Sequence, residues 1–317
     1  MSHRIALRLV AFAMACWAAS TLHAAISTPA APSGEYAAGV TDSFQVGTLK
    51  VQRYGHGGRP IILIPGLSSG AWVWKSTIES LSKTDTVYAV TLAGFDGTPA
   101  PAGDESYMDR ADASLLKLIK ERDLKHAVIV GHSIGGTIAL RFAGQHPDAV
   151  AGIVAVDGLP IFPGMDRVPA EQRAAIAANL KTKAEAATQE EYQAQSLAYM
   201  QKIGTVDPAV AAHYAPLSAR SDVKAVARYM AEDAGGDFRP VLKSATMPIL
   251  EIAPYNAADS SASKTGMTEA QKIAYYRSLL VDAPHAKVVS IGPSRHFVML
   301  DQPEAFQKTL AGFIGTL

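Results

Sequence analysis

The sequence predicts an α/β protein with a doubly wound, mostly parallel sheet and a helical segment inserted after the sixth strand. Short runs of Val, Ile and Leu alternate with amphipathic stretches in residues 43–157, and the alternation resumes in residues 241–317. Residues 158–240, by contrast, have helical patterns throughout and no strand pattern. Strands that alternate with helices form βαβ units and hence a parallel sheet. We therefore predict an α/β core, residues 43–157 and 241–317, with a helical cap of residues 158–240.

Seven stretches predict the eight strands of this core. Residues 42–55 alternate apolar and polar side chains around a glycine, as an antiparallel hairpin does. The other six stretches are continuous apolar runs, which are typical of strands buried on both faces. They lie within residues 60–66, 86–94, 126–131, 150–158, 247–255 and 286–292.

Periodic apolar stretches between the strands predict the helices. They lie in residues 71–81, 106–124, 135–147, 169–204, 221–234, 268–280 and 302–317. Asp301 and Glu304 stand three residues apart at the start of the last helix, so we expect them to cap its N-terminus.

The N-terminus has the features of a secretory signal peptide. Arg4 and Arg8 precede an apolar run at residues 9–19, and small residues allow cleavage after Ala24. The run is shorter than the roughly 20 residues that a membrane-spanning helix needs. We therefore expect residues 1–24 to direct export to the periplasm or the medium, without a stable membrane span; an uncleaved anchor is the alternative.

The composition of the remaining chain indicates an exported globular protein without disulfide bonds. Residues 25–42 are rich in Ala, Pro, Ser and Gly, which is typical of a flexible leader. The single cysteine, Cys16, lies within the predicted signal peptide. Lys and Arg together number 29, as do Asp and Glu, so no charged field indicates nucleic acid as a partner.

The pentapeptide "GHSIG", residues 131–135, stands where a predicted strand turns into a predicted helix. This G-x-S-x-G pattern is typical of a nucleophile elbow, in which a strained turn exposes a serine hydroxyl above the sheet. Side chains two residues before and after Ser133 would collide with neighbouring elements, which explains both glycines. The backbone N–H of Ile134 would face the oxyanion that forms when Ser133 attacks a carbonyl group.

A second oxyanion donor is expected from the loop after the strand in residues 60–66. Gly66 would let the backbone approach a substrate oxygen, and the N–H of Leu67 would then donate to that oxygen.

A serine hydroxyl also needs an imidazole to take its proton as it attacks. His296 lies between the last predicted strand and the last predicted helix, at the edge of the sheet where α/β proteins bind ligands. His132 is adjacent to Ser133, and we expect it to shape the elbow rather than to act as the base.

Three segments, "LIPGLSSGAWVW", "GHSIGG" and "SRHFVMLDQP", resemble in order and spacing those of the α/β-hydrolase superfamily. The resemblance covers essentially all of residues 45–317, with the helical insertion at the position of the family's cap domain. It implies an α/β-hydrolase fold in which the cap lies over the nucleophile and sets substrate choice. It also implies hydrolysis of an ester, lactone, thioester or amide without a cofactor. We find no metal-ligand spacing, and we expect no metal.

The acid that would orient His296 is left open by the sequence. In the superfamily it usually follows the strand predicted in residues 247–255, where Asp259 stands three residues beyond the expected position. Some members place it after the preceding strand, where this chain has Asp157. Both aspartates lie between Ser133 and His296, so chain order does not decide. Asp157 is the first candidate, Asp259 is the alternative, and a loop-capping role for Asp157 with neither as the acid is the third possibility.

These residues together predict a serine hydrolase that cleaves a carboxylic ester through an acyl-enzyme intermediate. Trp72, Phe162 and Phe297 are candidates to line an apolar pocket for a small apolar ester, and core packing is the other explanation of each. An amidase, a C–C bond hydrolase or a cofactor-free haloperoxidase on the same scaffold is the alternative. A non-catalytic binding protein is the alternative of another class, but binding alone does not require a strained serine.

Overall fold

Eight strands form one sheet in the order β1-β2-β4-β3-β5-β6-β7-β8. β2 pairs antiparallel with β1 and β4, whereas β3 to β8 are parallel to one another. The computed structural model describes residues 36–263 and 266–317. The strands are Val40–Val46 (β1), Leu49–Tyr54 (β2), Pro60–Ile64 (β3), Thr86–Leu92 (β4), Val128–His132 (β5), Gly152–Val156 (β6), Ile249–Pro254 (β7) and Ala286–Ile291 (β8). The predicted doubly wound, mostly parallel sheet is therefore confirmed.

Burial on both faces explains why the central strands have continuous apolar sequences. In β3, Ile61, Ile62, Leu63 and Ile64 expose none of their surface. Successive side chains of a strand point to opposite faces. Ile62 and Ile64 accordingly pack into one apolar cluster, and Ile61 and Leu63 pack into a second cluster on the other face. Burying each of these side chains stabilises the fold by roughly 1.5–3 kcal/mol before entropy is counted.

Helices cover both faces of the sheet. On one face lie α2 (Tyr107–Glu121), α3 (Ile134–Gln145) and α9 (Glu269–Leu279), and on the other lie α1 (Lys75–Leu81) and α11 (Pro303–Ile314). Two short helices, α8 (Ala257–Ala262) and α10 (Val298–Asp301), lie in the loops that follow β7 and β8. A 3₁₀ turn, Ala71–Trp74, precedes α1.

The last helix begins differently from the sequence expectation. Its N-cap residue is Gln302, which makes no side-chain capping hydrogen bond. The carboxylate of Asp301 instead accepts from the backbone N–H groups of Val206, at 2.9 Å, and Arg295, at 2.8 Å. The expected capping role of Asp301 with Glu304 is therefore wrong, because both oxygens of Asp301 serve other segments.

A helical insertion separates β6 from β7, as the sequence predicts. It contains α4 (Ala170–Glu185), α5 (Gln189–Tyr199), a π-helical turn (Met200–Gly204), α6 (Pro208–Ser218) and α7 (Val223–Gly235), and a 3₁₀ turn (Pro240–Ser244) follows it. An isolated β-bridge joins Ile161 to Asp237, and the N–H of Phe238 donates to the carbonyl of Pro160 at 2.7 Å. These contacts join the start of the insertion to its end, before the chain returns to β7.

The predicted signal peptide, residues 1–24, and most of the predicted leader lie outside the described residues. The end of the leader, residues 36–42, packs on the sheet. The Tyr36 hydroxyl donates to Asp96, Ala37 is buried, and β1 already begins at Val40. Within the described ranges, no helix has the length and hydropathy needed to cross a membrane.

Candidate active site

Ser133 lies on a sharp turn between β5 and α3. Its backbone has φ 54° and ψ −125°, which is strained for a residue with a side chain. Hydrogen bonds hold the turn in place. The Ser133 N–H donates to the carbonyl of Val156 at 2.9 Å, and the Ser133 carbonyl accepts from Gly136 at 2.8 Å and Thr137 at 3.0 Å. The side chain of Ser133 is half-buried, at the edge of the sheet where parallel strands end.

The glycines around Ser133 leave no room for side chains. A Cβ atom on Gly131 would stand 2.1 Å from the carbonyl oxygen of Gly135, within the elbow itself. A Cβ atom on Gly135 would stand 2.5 Å from the carbonyl oxygens of Ile64 and Pro65, at the end of β3. The steric reason for the pattern is therefore the one that the sequence suggests.

The structure brings His296 and Asp157 together beside this elbow. His296 follows β8, and its Nδ1 lies 2.5 Å from Oδ2 of Asp157. Their side chains are 15% and 14% exposed, so the contact is largely shielded from water. Asp157 directly follows β6, with φ 50°, and its backbone N–H donates to the carbonyl of Ile252 in β7 at 2.9 Å. The sheet thus fixes the main chain of Asp157.

A tyrosine supplies the other contact of the Asp157 carboxylate. The hydroxyl of Tyr276, on α9, donates to Oδ1 of Asp157. Burial alone would raise the pKa of Asp157, but the charge and hydrogen bond of His296 outweigh it, with smaller contributions from Lys272 and Tyr276. The pKa of Asp157 is therefore held below its usual range, and the carboxyl is ionised.

Asp259 lies close to this site but contacts a different residue. It belongs to α8, and its two carboxylate oxygens each lie 2.7 Å from the guanidinium of Arg295. The carboxylate is thus committed to a bidentate pair with the neighbour of His296. The structure therefore brings Asp157, and not Asp259, to the imidazole.

The loop predicted to hold Leu67 passes directly against the elbow. A Cβ atom on Gly66 would stand 2.6 Å from Nδ1 of His132 and 3.1 Å from Cβ of Ser133. The next residue but one, Ser68, has φ 61°. Leu67 therefore lies between a glycine packed against Ser133 and a residue of positive φ.

Two side-chain contacts join this loop to the helical insertion. The hydroxyl of Ser68 donates to the carbonyl of Ser218 at 2.7 Å, so the hydroxyl of Tyr192 must donate to Ser68.

Ile134, the other predicted oxyanion donor, is the first residue of α3, where backbone N–H groups have no acceptor within the helix. Ile134 thus follows Ser133 directly in the chain, and Leu67 follows the glycine that approaches Ser133.

His132 is buried under the site and supports His296. Its Nε2 lies 3.0 Å from the carbonyl oxygen of His296 and must carry a proton, because that oxygen can only accept. The two imidazole rings lie 4.5 Å apart between centroids. Burial, together with the neighbouring His296, lowers the pKa of His132 well below its usual value. His132 is therefore neutral, packs against His296 and donates a hydrogen bond to its backbone.

The three apolar side chains predicted to line a pocket have different surroundings. Trp72 exposes none of its surface and stacks on Tyr214 with ring centroids 5.2 Å apart. Phe297 is 3% exposed, and its ring lies 5.4 Å from that of His296. Both side chains belong to the core, because they pack in the apolar cluster beneath the loops. Only Phe162 is partly exposed.

Glu251 is a feature that sequence reasoning missed. It lies within β7 next to Ala155 of β6 and is completely buried. Its carboxyl faces the backbone N–H groups of Asp157 and Gly158 but makes no well-formed hydrogen bond among the described residues. Burial, and then the charge of Asp157, raises the pKa of Glu251 well above its usual value, which favours the neutral form of the side chain. The signal was visible: it is the one charged residue in the apolar run "PILEIAP".

Tyr276 was missed as well. It is the second tyrosine of "AYYRSLL", and helical periodicity places it on the buried side of α9 with Leu279 and Leu280. Within the described part of the chain, no group of three or more His, Cys, Asp or Glu side chains is placed to hold a metal ion.

Comparisons with known proteins agree with this architecture. An enol-lactonase from Burkholderia xenovorans superposes with a TM-score of 0.67 at 19% identity, over 86% of this chain and 100% of that one. A thermophilic esterase from Thermogutta terrifontis gives a TM-score of 0.66 at 20% identity, over 87% and 99%. At these identities the likeness concerns the fold.

Individual relatives match a short part of this chain, whereas a family model matches most of it. An uncharacterized protein of Mycobacterium bovis is 31% identical over 110 residues, which are 35% of this chain and 32% of that protein. The chain thus aligns with about a third of the length of the curated relatives it matches. The model of the alpha/beta hydrolase family, in contrast, matches residues 61–308, from the first buried strand to the last helix. The protein therefore belongs to the alpha/beta hydrolase family.

Proposed function

We propose that the protein is a serine hydrolase that cleaves a carboxylic ester through an acyl-enzyme intermediate. The observation that carries this proposal is the 2.5 Å contact between Nδ1 of His296 and the ionised carboxylate of Asp157, beside a strained Ser133. A protonated Nδ1 leaves Nε2 as the basic nitrogen of the ring, which is the tautomer that a general base needs. Structural packing alone gives no reason for the φ of 54° at Ser133.

The reaction would run in two halves. In the first, Ser133 attacks the ester carbonyl while His296 takes its proton, and the N–H groups of Leu67 and Ile134 stabilise the oxyanion. Each such donor contributes roughly 3–4 kcal/mol to the transition state. His296 then protonates the departing alcohol. In the second half, His296 activates a water molecule that releases the acyl group and regenerates Ser133, while Asp157 holds the imidazole and stabilises its charged form.

A small apolar ester is the substrate that we propose. Two charged pairs at the site are satisfied within the protein, since Arg295 contacts Asp259 and Asp157 contacts His296. Two of the similar folds belong to an enol-lactonase and an esterase, which supports an ester or lactone as the substrate class. No cofactor enters the proposed steps.

Hydrolysis of p-nitrophenyl esters from short to long acyl chains tests the activity. Wild-type protein should hydrolyse at least one of them, and Ser133→Ala should lose at least about 10³-fold in kcat. Ser80→Ala, a half-buried serine on α1, is the matched control and should keep the wild-type rate.

Labelling by a fluorophosphonate separates the alternatives. Hydrolysis without labelling at Ser133 would contradict the acyl-enzyme mechanism. Labelling without ester hydrolysis would point to an amide, a carbon–carbon bond or another acyl group. A protein that neither hydrolyses esters nor becomes labelled would have a binding function.

We also propose that the chain is exported, on the basis of Arg4, Arg8 and the apolar run that follows. N-terminal sequencing of protein from the periplasm or medium should start at Ala25. Recovery of the intact chain in the cytoplasm would overturn this proposal.

A further inference from the structure

The loop that carries His296 is bonded to the helical insertion through its main chain. The N–H of His296 donates to the carbonyl of Ile203 at 3.1 Å, and the N–H of Phe297 donates to that of Gly204 at 2.9 Å. Both acceptors belong to the π-helical turn at the end of α5. This turn therefore contacts the backbone of the residue that we place as the base.

Arg295, the residue before His296, reinforces this contact with its side chain. Its Nη1 donates to the carbonyls of Gln201, at 2.8 Å, and Thr205, at 2.9 Å. The last carbonyl groups of a helix have no N–H donor within the helix. The guanidinium therefore donates to groups that would otherwise need water. The same guanidinium makes the bidentate pair with Asp259 through Nε and Nη2.

Asp301 links the same two segments from the other side. Through its two oxygens it joins the N–H of Arg295 to the N–H of Val206, the second residue after the π-helical turn. His132 in turn donates to the carbonyl of His296. The backbone of His296 is thus held on its N–H side by the insertion and on its carbonyl side by the elbow.

We propose that Arg295 is a positioning residue, which fixes the backbone of His296 against the π-helical turn, and that Asp259 acts by orienting Arg295. This inference rests on the proposed function of His296. It gives Asp259 a place in the site that differs from the one the sequence suggested.

The geometry distinguishes this role from simple stabilisation. The side chain of Asp259 is 45% exposed, and an ion pair with so exposed a partner contributes little to global stability. A displacement of about 1 Å at a catalytic group, by contrast, can reduce the rate by roughly 100-fold. Loss of Arg295 should therefore affect kcat more than it affects unfolding.

Arg295→Ala tests the proposal, with Arg239→Ala as the matched control. Arg239 forms a comparable bidentate pair with Asp237, at 2.8 and 2.6 Å, at the far end of the insertion. We expect Arg295→Ala to lower kcat by roughly 10- to 100-fold with little change in KM, and Asp259→Asn to lower it by roughly three- to tenfold. Arg239→Ala should keep the wild-type kcat, and added methylguanidinium should restore part of the rate of Arg295→Ala alone.

Amide hydrogen exchange gives a readout that does not depend on turnover. The amides of His296 and Phe297 should exchange faster in Arg295→Ala than in wild type, and should be unaffected in Arg239→Ala. Unchanged kcat and unchanged exchange in Arg295→Ala would overturn the proposal, as would an equal loss of kcat in Arg239→Ala. If Arg295→Ala does not fold, Asp259→Asn must show the same two changes in smaller degree, and its failure to do so overturns the proposal.

The proposed function and this inference can fail separately. A wild-type protein without ester hydrolysis or serine labelling would contradict the proposed function. The exchange of the two amides would then still decide whether Arg295 fixes this loop.

Discussion

The loops that follow β6 and β7 leave the same edge of the sheet, yet only the first brings its aspartate to His296. Asp157 is the first residue after β6, and its N–H is bonded to Ile252 of the neighbouring strand. Asp259 stands five residues beyond the end of β7, in the first turn of α8, and is 45% exposed.

Distance from the strand end explains the difference. A side chain attached directly to a strand has its direction set by the hydrogen bonds of the sheet. A side chain several residues along a loop takes the partner that the loop geometry offers, and for Asp259 this partner is Arg295. Sites built on regular elements are therefore more accurately placed than sites built on loops.

The largest expected effect separates the two aspartates. Asp157→Asn should lower kcat by about 10³- to 10⁴-fold, because an amide neither fixes the Nδ1–H tautomer of His296 nor stabilises the imidazolium. Asp259→Asn should cost no more than about tenfold, since it leaves the Asp157–His296 contact intact. The kcat values of the two variants, measured on the same ester, give the ratio of the two losses. Equal losses would mean that both carboxylates contact the imidazole during turnover.

A smaller effect is expected from the hydroxyl that holds Asp157. Tyr276→Phe removes one hydrogen bond to a charged group, which contributes roughly 1.5–3 kcal/mol to stability. If about half of that loss appears in the transition state, kcat should fall by about tenfold. Tyr275→Phe is the matched control on the same helix. Its hydroxyl accepts from Gly164 and donates to Asp166, away from the site. A rate loss confined to Tyr275→Phe would contradict the assignment of Tyr276 as the support of Asp157.

A further prediction concerns stability rather than rate, and it distinguishes the carboxyl inside β7 from those in the loops. The pKa of Glu251 is raised by burial, so above its ordinary value of 4.5 the unfolded chain loses a proton that the folded chain keeps. Wild-type stability should therefore fall as pH rises from 4.5 toward the pKa in the folded state, by up to about 1.4 kcal/mol per pH unit. Glu251→Gln should lack this dependence.

Urea unfolding of wild type and Glu251→Gln from pH 4.5 to 8 checks this. The stability of the variant relative to wild type should increase with pH. A difference that stays constant would mean that Glu251 is ionised in the folded protein. Asp157 has the opposite effect on stability, because its pKa is lowered in the folded protein. Its stabilising contribution is present above its ordinary pKa of 3.8 and is lost as the pH falls toward the pKa in the folded state.

The sequence was sufficient to predict the strands and the nucleophile elbow, but not which side chains contact one another in the site. Six of the eight strands follow from apolar runs, since a strand buried on both faces needs apolar side chains at nearly every position. β1 and β2 follow from the alternating pattern around Gly47. The strained Ser133 follows from its flanking glycines, which nothing larger can replace. The choice between Asp157 and Asp259 depended on the direction of the Arg295 side chain, which a one-dimensional pattern does not contain.

The sequence also could not decide whether an apolar residue lines a pocket or packs in the core. Trp72 and Phe297 are as compatible with a pocket as with the core, because both environments exclude water and favour large side chains. Asp301 likewise had the spacing of a helix cap, but a backbone N–H of the insertion and one of the His296 loop both face its carboxylate. Donors from distant segments of the chain leave no local signal in the sequence around Asp301.

The two halves of the helical insertion differ in how far they can be exchanged. Tyr192, Ser218 and the π-helical turn between them hold Ser68 and the backbone of His296. α4 buries only Ala177 and Ala184 of its sixteen residues and lies outside these contacts. A chimaera that replaces α4 with a helix from a relative should keep its turnover rate on the same ester. A chimaera that replaces residues 192–218 would have to rebuild the reaction centre.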